Sequence, residues 1–311
     1  MKRRSTLRLL LTTTGLLLSC TSHAETWRFA VIGDTPYGSY EEREFPRMLE
    51  DIAGESPQLI VHAGDFKSSR EPCSDTLFQD RRALFDASRV PLIYVPGDNE
   101  WTDCHLQLAG HFDPQERLQK LREIFFAAPR SLGQQTLPVE QQRGDYVEQL
   151  LWRLGPVLFV SLNVPGWNNN FGEGSKPSEE YLARNPRVIE WLEQAFASAR
   201  REQAAGVVIV MQGNPGFKHD AAGLTHSGFR QLLETLRRET LAFSGQVLLI
   251  HGDTHWQRID QPLRDPTTKR PLANFTRLET FGYPIMGWVK VIIDSELPQL
   301  FRFEVHAHQH R

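Results

Sequence analysis

The sequence predicts an α/β protein, a four-layer αββα sandwich in which two mixed sheets lie between helices. Up to residue 250, short apolar runs rich in β-forming residues alternate with amphipathic stretches at helical spacing, which favours parallel strands. After Asp253, strand-like runs follow one another without intervening helices, which favours antiparallel pairing. Two packed sheets with helices outside accommodate both halves.

In the first half of the chain, predicted strands and helices alternate in three pairs. The predicted strands cover residues 27–33, 57–63 and 91–95. The predicted helices cover residues 41–53, 75–88 and 113–126. Ser74 or Asp75 is expected to cap the second helix, and Asp113, followed by Pro114, the third, because such side chains accept hydrogen bonds from the first helical turn.

The second half begins with a polar excursion over residues 129–144 that shows no periodicity. Beyond it we predict a hairpin over 146–154 and 156–164, helices over 178–203 and 225–243, and strands over 206–211, 246–250, 256–259, 275–281, 288–294 and 300–306. Residues 165–177 form a loop rich in Gly, Asn and Pro. Its Trp167 and Phe171 could fold over a substrate, and a plain exposed connection is the alternative.

Residues 1–24 are expected to be a signal peptide that precedes one domain over residues 25–311. Four basic residues come before a short apolar run, and Ser22-His23-Ala24 offers a cleavage site. The run is too short to span a bilayer, so no transmembrane segment is expected. Lipidation at Cys20 is the alternative to ordinary cleavage. Both alternatives predict an exported protein, periplasmic or secreted.

The composition is that of a soluble globular protein, with 23% charged and 40% hydrophobic residues. Removal of residues 1–24 takes away four positive charges and no acid, which changes the formal net charge from −3 to −7. An acidic mature chain argues against a broad basic face for nucleic acids. We therefore expect a small-molecule substrate, and an anionic one must be held by local cations or metals.

Export also predicts a disulfide bond. Cleavage or lipidation accounts for Cys20, which leaves Cys73 and Cys104 as one even pair in an oxidising compartment. A bond between them would tie together the loops that follow the second and third predicted strands. Two unpaired buried thiols are the alternative.

Four predicted strands each end in a Gly-Asp pair, and these pairs are the main functional signal. Their carboxylates belong to Asp34, Asp65, Asp98 and Asp253. A single Gly-Asp pair is a common start of a turn. Four pairs that each close an apolar run instead predict carboxylates gathered at one edge of a sheet, where α/β proteins place ligands.

The motifs around these aspartates resemble, in order and strand context, those of calcineurin-like metallophosphoesterases: Asp34, Gly64-Asp65, Gly97-Asp98-Asn99-Glu100 and Gly252-Asp253-Thr254-His255. The resemblance covers nearly the whole mature chain. It implies hydrolysis of a phosphomonoester or phosphodiester by a metal-activated water at a binuclear site. Transferred by position, it assigns the metal ligands Asp34, Asp65, Asp98, Asp253 and His255, with Asn214 as a candidate sixth.

Several positions depart from the family pattern. Pro36 and Asp253 stand where the family places ligand histidines, and Asp98 replaces a ligand Asn. Asn99 replaces the His that usually assists catalysis. These departures make the expected site rich in carboxylates, with Asp65 as the carboxylate shared between two metals.

Four carboxylates can balance the charge of two divalent cations. Because hard oxygen ligands favour hard cations, we expect Mn²⁺, Mg²⁺ or Ca²⁺ rather than Zn²⁺. The segment 211–215 lacks the ligand His of the family and leaves Gln212 and Asn214 as nearby candidates.

The candidate catalytic residues are Asn99, Lys67 and His251. Lys67 could bind a phosphate group as a point charge, and a solvated loop lysine is the alternative. With Asn99 at the position of the family's acid, the leaving group needs a proton from another group or from solvent. His251, His62 and His105 lie near motif ends, and a structural role is the alternative for each.

Two other functions remain open from the sequence. A degenerate, non-catalytic family member could use the acidic cluster to bind a metal or a partner, and the missing histidines favour this alternative. A hydrolase of another ester could use the same metal chemistry without a phosphate.

Overall fold

The two sheets of the protein are assembled from elements spread over the whole chain. A computed structural model describes residues 25–172, 174, 176–223 and 227–308, so the predicted signal peptide lies outside the described residues. In chain order the elements are β1 (Thr26–Ile32), α1 (Gly38–Gly54), β2 (Leu59–His62), α2 (Asp75–Asp86), β3 (Leu92–Tyr94), a 3₁₀ turn (Thr102–His105), α3 (Pro114–Phe125), β4 (Glu140–Gln141), β5 (Leu150–Leu154), β6 (Val157–Ser161), the single turn α4 (Gly166–Asn169), α5 (Glu179–Arg201), β7 (Gly206–Val210), α6 (Phe217–Ala221), α7 (Ser227–Ala242), β8 (Gln246–His251), β9 (Arg258–Asp260), β10 (Phe275–Glu279), β11 (Gly287–Asp294) and β12 (Phe301–Ala307).

Both sheets are mixed, as predicted. The first has the order β12-β11-β1-β2-β3, with β1, β2 and β3 parallel and β11 antiparallel to β1. The second has the order β4-β5-β6-β7-β8-β10-β9, with a parallel centre from β6 to β10. The expected fold class of two mixed sheets flanked by helices is confirmed.

The side chains of the central strands alternate between two apolar clusters. Val208 and Val210 of β7 join the core between the sheets, while Val207 and Ile209 join the cluster under α5 and α7. This follows from the two-residue period of a strand. Between the sheets, Phe29 of β1 meets the ring of Phe159 of β6, with centroids 5.1 Å apart.

Helix starts follow the sequence signals closely. The Ser74 hydroxyl accepts a hydrogen bond from Leu77 N at 3.2 Å, and Asp113 Oδ1 accepts one from Glu116 N at 2.8 Å. Each side chain therefore satisfies an orphan amide of the first turn. Among the described residues, no helix is long and apolar enough to cross a membrane.

Two expectations about strands were wrong. The segment 129–144 is not free of regular structure, because it contains the short edge strand β4, which pairs antiparallel with β5. The strands after Asp253 do not form one antiparallel run. β10 pairs parallel with β8. The intervening strand β9 pairs antiparallel with β10 on its other side, so it reverses the chain direction before β10 begins.

The predicted disulfide is present. Cys73 and Cys104 are bonded, with Cα atoms 5.7 Å apart, and both residues are buried. The bond joins the segment between β2 and α2 to the 3₁₀ turn after β3, and so links two of the Gly-Asp loops.

Candidate metal centre

The four Gly-Asp pairs lie at the carboxyl ends of parallel strands from both sheets, and these strand ends are neighbours in the fold. Asp34, Asp65 and Asp98 follow the parallel strands β1, β2 and β3 of the first sheet, and Asp253 follows β8 of the second. The first three are buried and Asp253 is partly buried. Parallel strands end at the same edge of a sheet, and the packing of the two sheets places the two edges side by side.

On one side of the centre, Asp34 contacts the Asp253 loop. Its carboxylate accepts hydrogen bonds from Asp253 N at 3.0 Å and from Thr280 Oγ1 at 3.0 Å. His255 Nε2 lies 3.7 Å from Asp34 Oδ1, and His255 Nδ1 lies 2.7 Å from the carbonyl oxygen of Tyr283. A proton on Nδ1 that is donated to this carbonyl leaves the Nε2 lone pair free to bind a metal.

On the other side, Asp65 collects four contacts from polar groups. Asn99 N donates to Asp65 Oδ1 at 3.1 Å, and Asn99 Nδ2 donates to Oδ2 at 3.0 Å. Gln212 Nε2 also donates to Oδ2 at 3.1 Å, and the Tyr37 hydroxyl donates to Oδ2 at 3.3 Å. These donors fix the orientation of the carboxylate and favour its ionised form.

Glycines let the carboxylates come close to neighbouring backbone. A Cβ added at Gly166 would lie 2.5 Å from Asp98 Oδ2 and 2.9 Å from Asp253 Oδ1, so these two carboxylates flank the same glycine. A Cβ at Gly97 or at Gly252 would collide with the carboxylate of Asp65 or of Asp34, respectively.

The backbone of the centre is strained. Asp34, Asp65, Asp253 and His255 adopt the left-handed region, with φ angles of 51°, 58°, 81° and 58°. This conformation costs about 1–2 kcal/mol for a residue with a Cβ. Such residues concentrate at functional sites, where the surrounding fold holds them in place.

Burial makes the ionised form of these carboxylates unfavourable in the absence of a counter-charge. Burial, followed by repulsion among neighbouring carboxylates, raises the pKa of Asp65 and Asp98 well above the usual range, and burial is also the main cause for Asp34. Burial raises the pKa of Asp253 to about 6. Bound cations would remove this cost, and the oxygen-rich donor set fits hard divalent metals. Within the described ranges, no group of three His, Cys, Asp or Glu side chains is arranged closely enough to hold a metal ion without rearrangement.

A cavity of about 670 Å³ opens onto the centre. Asp65, Asp98, Asp253 and His255 lie in its wall, and the rim carries Arg70, Trp167 and Tyr283. Buried carboxylates on strained loops at the bottom of an open cavity form an arrangement suited to metal-assisted chemistry on a small molecule.

The sequence model of the calcineurin-like phosphoesterases matches residues 28–257, which include all of these motifs. The chain belongs to the calcineurin-like phosphoesterase family. No curated protein sequence matches it.

Solved structures show the same fold. A dimetal phosphatase from Danio rerio is 14% identical, with a TM-score of 0.57 over 90% of this chain and 96% of that one. A purple acid phosphatase from yellow lupin (Lupinus luteus) seeds is 15% identical, with a TM-score of 0.53 over 92% of this chain and 54% of that one. At this identity the likeness shows the fold alone.

In this calcineurin-like chain, the segment after β7 brings Gln212 to the centre, not the side chain of Asn214. Asn214 Oδ1 accepts a hydrogen bond from Gly216 N at 3.0 Å, so the side chain closes its own turn. Asn214 contributes only its backbone amide, which donates to Asp253 Oδ2 at 2.7 Å. The Asn214 side chain is therefore engaged in its own turn, and Gln212 is the side chain of this segment that contacts Asp65.

Lys67 lies behind the centre and does not line the cavity. Its side chain is fully buried, and Nζ donates to Ser68 O at 2.9 Å. Burial lowers the pKa of Lys67, and the charges of Glu100 and Asp65 oppose this shift. Its expected role as a phosphate-binding cation does not agree with this position. Arg70, which the sequence reasoning missed, is the cationic side chain at the rim.

Two of the histidines proposed as proton donors, His251 and His62, are buried and contact backbone atoms. His251 is fully buried, its Nδ1 lies 2.9 Å from Gly252 O, and burial lowers its pKa to about 4. His62 is also buried, with Nε2 2.6 Å from Thr35 O and Nδ1 accepting from Gly64 N. Neither His251 nor His62 is among the residues that line the cavity. His105, the third of these histidines, is exposed, and its Nδ1 lies 2.6 Å from Thr102 O.

Glu100 holds the Asp65 loop. Its carboxylate accepts hydrogen bonds from Asp65 N at 3.2 Å, from Gly97 N at 2.8 Å and from Phe66 N. The third motif therefore positions the second motif through backbone contacts. Tyr37 was also missed by the sequence reasoning, although it directly follows Pro36, the position at which the family has a ligand His.

Proposed function

We propose that the protein is a metal-dependent phosphoesterase that hydrolyses a phosphomonoester or a phosphodiester. The observation that carries this proposal is the convergence of four carboxylates from four strand ends: Asp65, Asp98 and Asp253 line one open cavity, and Asp34 is buried against the Asp253 loop. The family assignment over residues 28–257 supports the same reaction class.

The residues that would hold the metals are Asp34, Asp65, Asp98, Asp253 and His255. Two divalent cations bound there would activate a water and stabilise the charge on the phosphoryl oxygens. Mn²⁺, Mg²⁺ or Ca²⁺ is preferred over Zn²⁺, because one imidazole and several carboxylates make a hard donor set.

The side chains of this protein supply orientation and charge. Asn99 and Gln212 donate to Asp65 and keep the shared carboxylate in place. Arg70 at the rim supplies a positive charge for an anionic substrate. An amide does not ionise, so Asn99 is a positioning residue and cannot act as a general acid. Solvent in the open cavity then protonates the leaving group.

Hydrolysis of aryl phosphomonoesters and phosphodiesters, measured with added Mn²⁺, tests this function. Wild-type protein is expected to hydrolyse at least one of them, and Asp65→Asn is expected to be inactive. Full activity of Asp65→Asn would falsify its role as the shared ligand.

A non-catalytic metal-binding role is the second candidate. The amide at position 99 favours it, and so does the burial of His62 and His251 away from the cavity. Bound metal at stoichiometric level, without turnover of any phosphoester, would select this alternative.

We also propose that the protein is exported, on the evidence of the signal-peptide pattern in residues 1–24. Determination of the mature N-terminus distinguishes the two routes. Ordinary cleavage leaves Glu25 first, whereas lipidation leaves a modified Cys20, and an intact N-terminus in the cytoplasm would contradict both.

A further inference from the structure

The side chain of Trp167 at the cavity rim is exposed to solvent and belongs to a strained turn. Trp167 lines the cavity, yet 77% of its surface is exposed. It belongs to four consecutive residues in the left-handed region, with φ angles of 45°, 57°, 56° and 51° for Trp167, Asn168, Asn169 and Asn170. Because each such residue costs about 1–2 kcal/mol, the turn needs support from its surroundings.

Arg184 of α5 provides that support from below. It is only 1% exposed, and its Nη1 donates to Asn169 Oδ1 and to Asn163 O, both at 2.7 Å. Its Nη2 donates to Asn169 O at 3.0 Å. A buried guanidinium with several fixed acceptors is a rigid anchor, so the fold over-determines the conformation of this turn.

The other side of the turn is fastened to α7. Asn168 Oδ1 accepts from Gly228 N at 2.9 Å, and Asn169 Nδ2 donates to Gly228 O at 2.9 Å. These bonds and the Arg184 anchor do not bury the indole of Trp167. The turn buries the side chain of Asn169 but leaves the indole of Trp167 exposed at the cavity.

A second ring borders the same cavity. Tyr283 is 54% exposed and stacks on Tyr37, with centroids 6.1 Å apart and an interplanar angle of 23°. Outside the candidate metal ligands, the charged side chains of the same lining are Arg70 and Asp103, so the lining offers a cation to an anionic group. Aromatic faces beside a cation and a metal centre suit a molecule with an anionic end and a planar, apolar end.

We propose that Trp167 is a stacking platform for a planar aromatic group of the substrate, either an aryl or a nucleobase moiety. This inference names the substrate class of the function proposed above and rests on it for the phosphate end. Stacking one ring on an aromatic side chain contributes about 1–3 kcal/mol, which corresponds to about a 5- to 140-fold change in affinity.

Ligand binding by Mn²⁺-loaded protein tests the platform without any turnover. Titration calorimetry compares phenylphosphonate with methylphosphonate for wild type, Trp167→Ala, Trp167→Phe and the control Trp256→Ala. Trp256 is 70% exposed and is not among the residues that line the cavity. Wild type, Trp167→Phe and Trp256→Ala are expected to prefer the phenyl ligand by about 5-fold or more. Trp167→Ala is expected to lose that preference.

Three other outcomes would contradict the stacking platform, and one would separate it from the proposed function. A phenyl preference that survives in Trp167→Ala, or no phenyl preference in wild type, overturns the platform. Tighter binding of phosphocholine than of phenylphosphonate also overturns it, because the rings would then serve a cation. A phenyl preference lost in Trp167→Ala, without hydrolysis of any ester by wild type, supports the platform and removes the proposed function.

Discussion

Asn99 donates to both carboxylate oxygens of Asp65, through its backbone N at 3.1 Å and its side-chain Nδ2 at 3.0 Å. The same Nδ2 also donates to the Tyr37 hydroxyl at 3.0 Å. The position that carries a catalytic His in the related motif therefore carries an amide that orients the central carboxylate. The side chain donates hydrogen bonds here and has no proton to transfer.

Asn99→Ala is expected to lower hydrolytic activity by about 10- to 100-fold, the usual cost of losing a group that orients a metal ligand. The backbone bond to Asp65 survives the substitution, so the fold should be kept. Phosphoester hydrolysis and metal content measured on the same sample check this. Unchanged values of both would show that the side chain has no positioning role.

Asp253→Asn is expected to stabilise the metal-free protein at pH 7.5 by about 1–3 kcal/mol. Burial raises the pKa of Asp253 to about 6. The folded state thus keeps this proton to a higher pH than the unfolded state does. The stability of the wild type falls as the pH rises from about 4 to about 6, and the penalty persists above that range.

Urea unfolding of both proteins in the presence of a chelator measures this difference. The difference should vanish below about pH 3, where the carboxyl group is protonated in both states. His62 and His251 are present in both proteins, so their titration cancels. A difference of the same size at both pH values would contradict the assigned cause.

Metal removal is expected to lower the melting temperature of wild-type protein at pH 7.5, because the buried carboxylates lose their counter-charges. Addition of Mn²⁺ at 100 times its dissociation constant should restore about 2.7 kcal/mol. Asp65→Asn should recover less than wild type does. Purification of the protein with stoichiometric Zn²⁺ would argue against the preference for hard cations.

Cys73→Ser is expected to lower the free energy of unfolding by about 2–4 kcal/mol. The bond to Cys104 closes a loop with a sequence separation of 31 residues, so its loss increases the conformational freedom of the unfolded chain. Unfolding of wild type after reduction provides the matched control and should give a similar loss. Two titratable thiols in the mature, non-reduced protein would rule the bond out.

The sequence alone predicted the strand ends and the convergence of Asp34, Asp65, Asp98 and Asp253, because each lies at a sharp change from apolar to polar residues. It did not predict which amide after β7 contacts Asp65. The Asn214 side chain instead accepts a hydrogen bond from Gly216 N, two residues further on. Asn commonly makes such a local bond, but whether it forms depends on the geometry of the turn.

Lys67 shows a second limit of the sequence. Its proximity to Asp65 along the chain indicated a cation in the cavity, but the loop turns the side chain inward, beside Glu100. The direction of a loop side chain depends on the backbone conformation, and the left-handed φ of 58° at Asp65 is not encoded by a simple periodicity.

The contacts of Gly97 with Asp65 and of Gly252 with Asp34 restrict how the centre can vary. The carboxylate of Asp65 occupies the space that a side chain at position 97 would need, and the carboxylate of Asp34 occupies the space that a side chain at position 252 would need. A substitution of Gly97 or Gly252 would therefore displace the carboxylate of Asp65 or of Asp34, and so disturb a candidate metal ligand on a different strand end. The substitutions Asp98, Asn99 and Asp253 exchange one polar side chain for another and leave these glycines in place, whereas Pro36 removes a polar side chain.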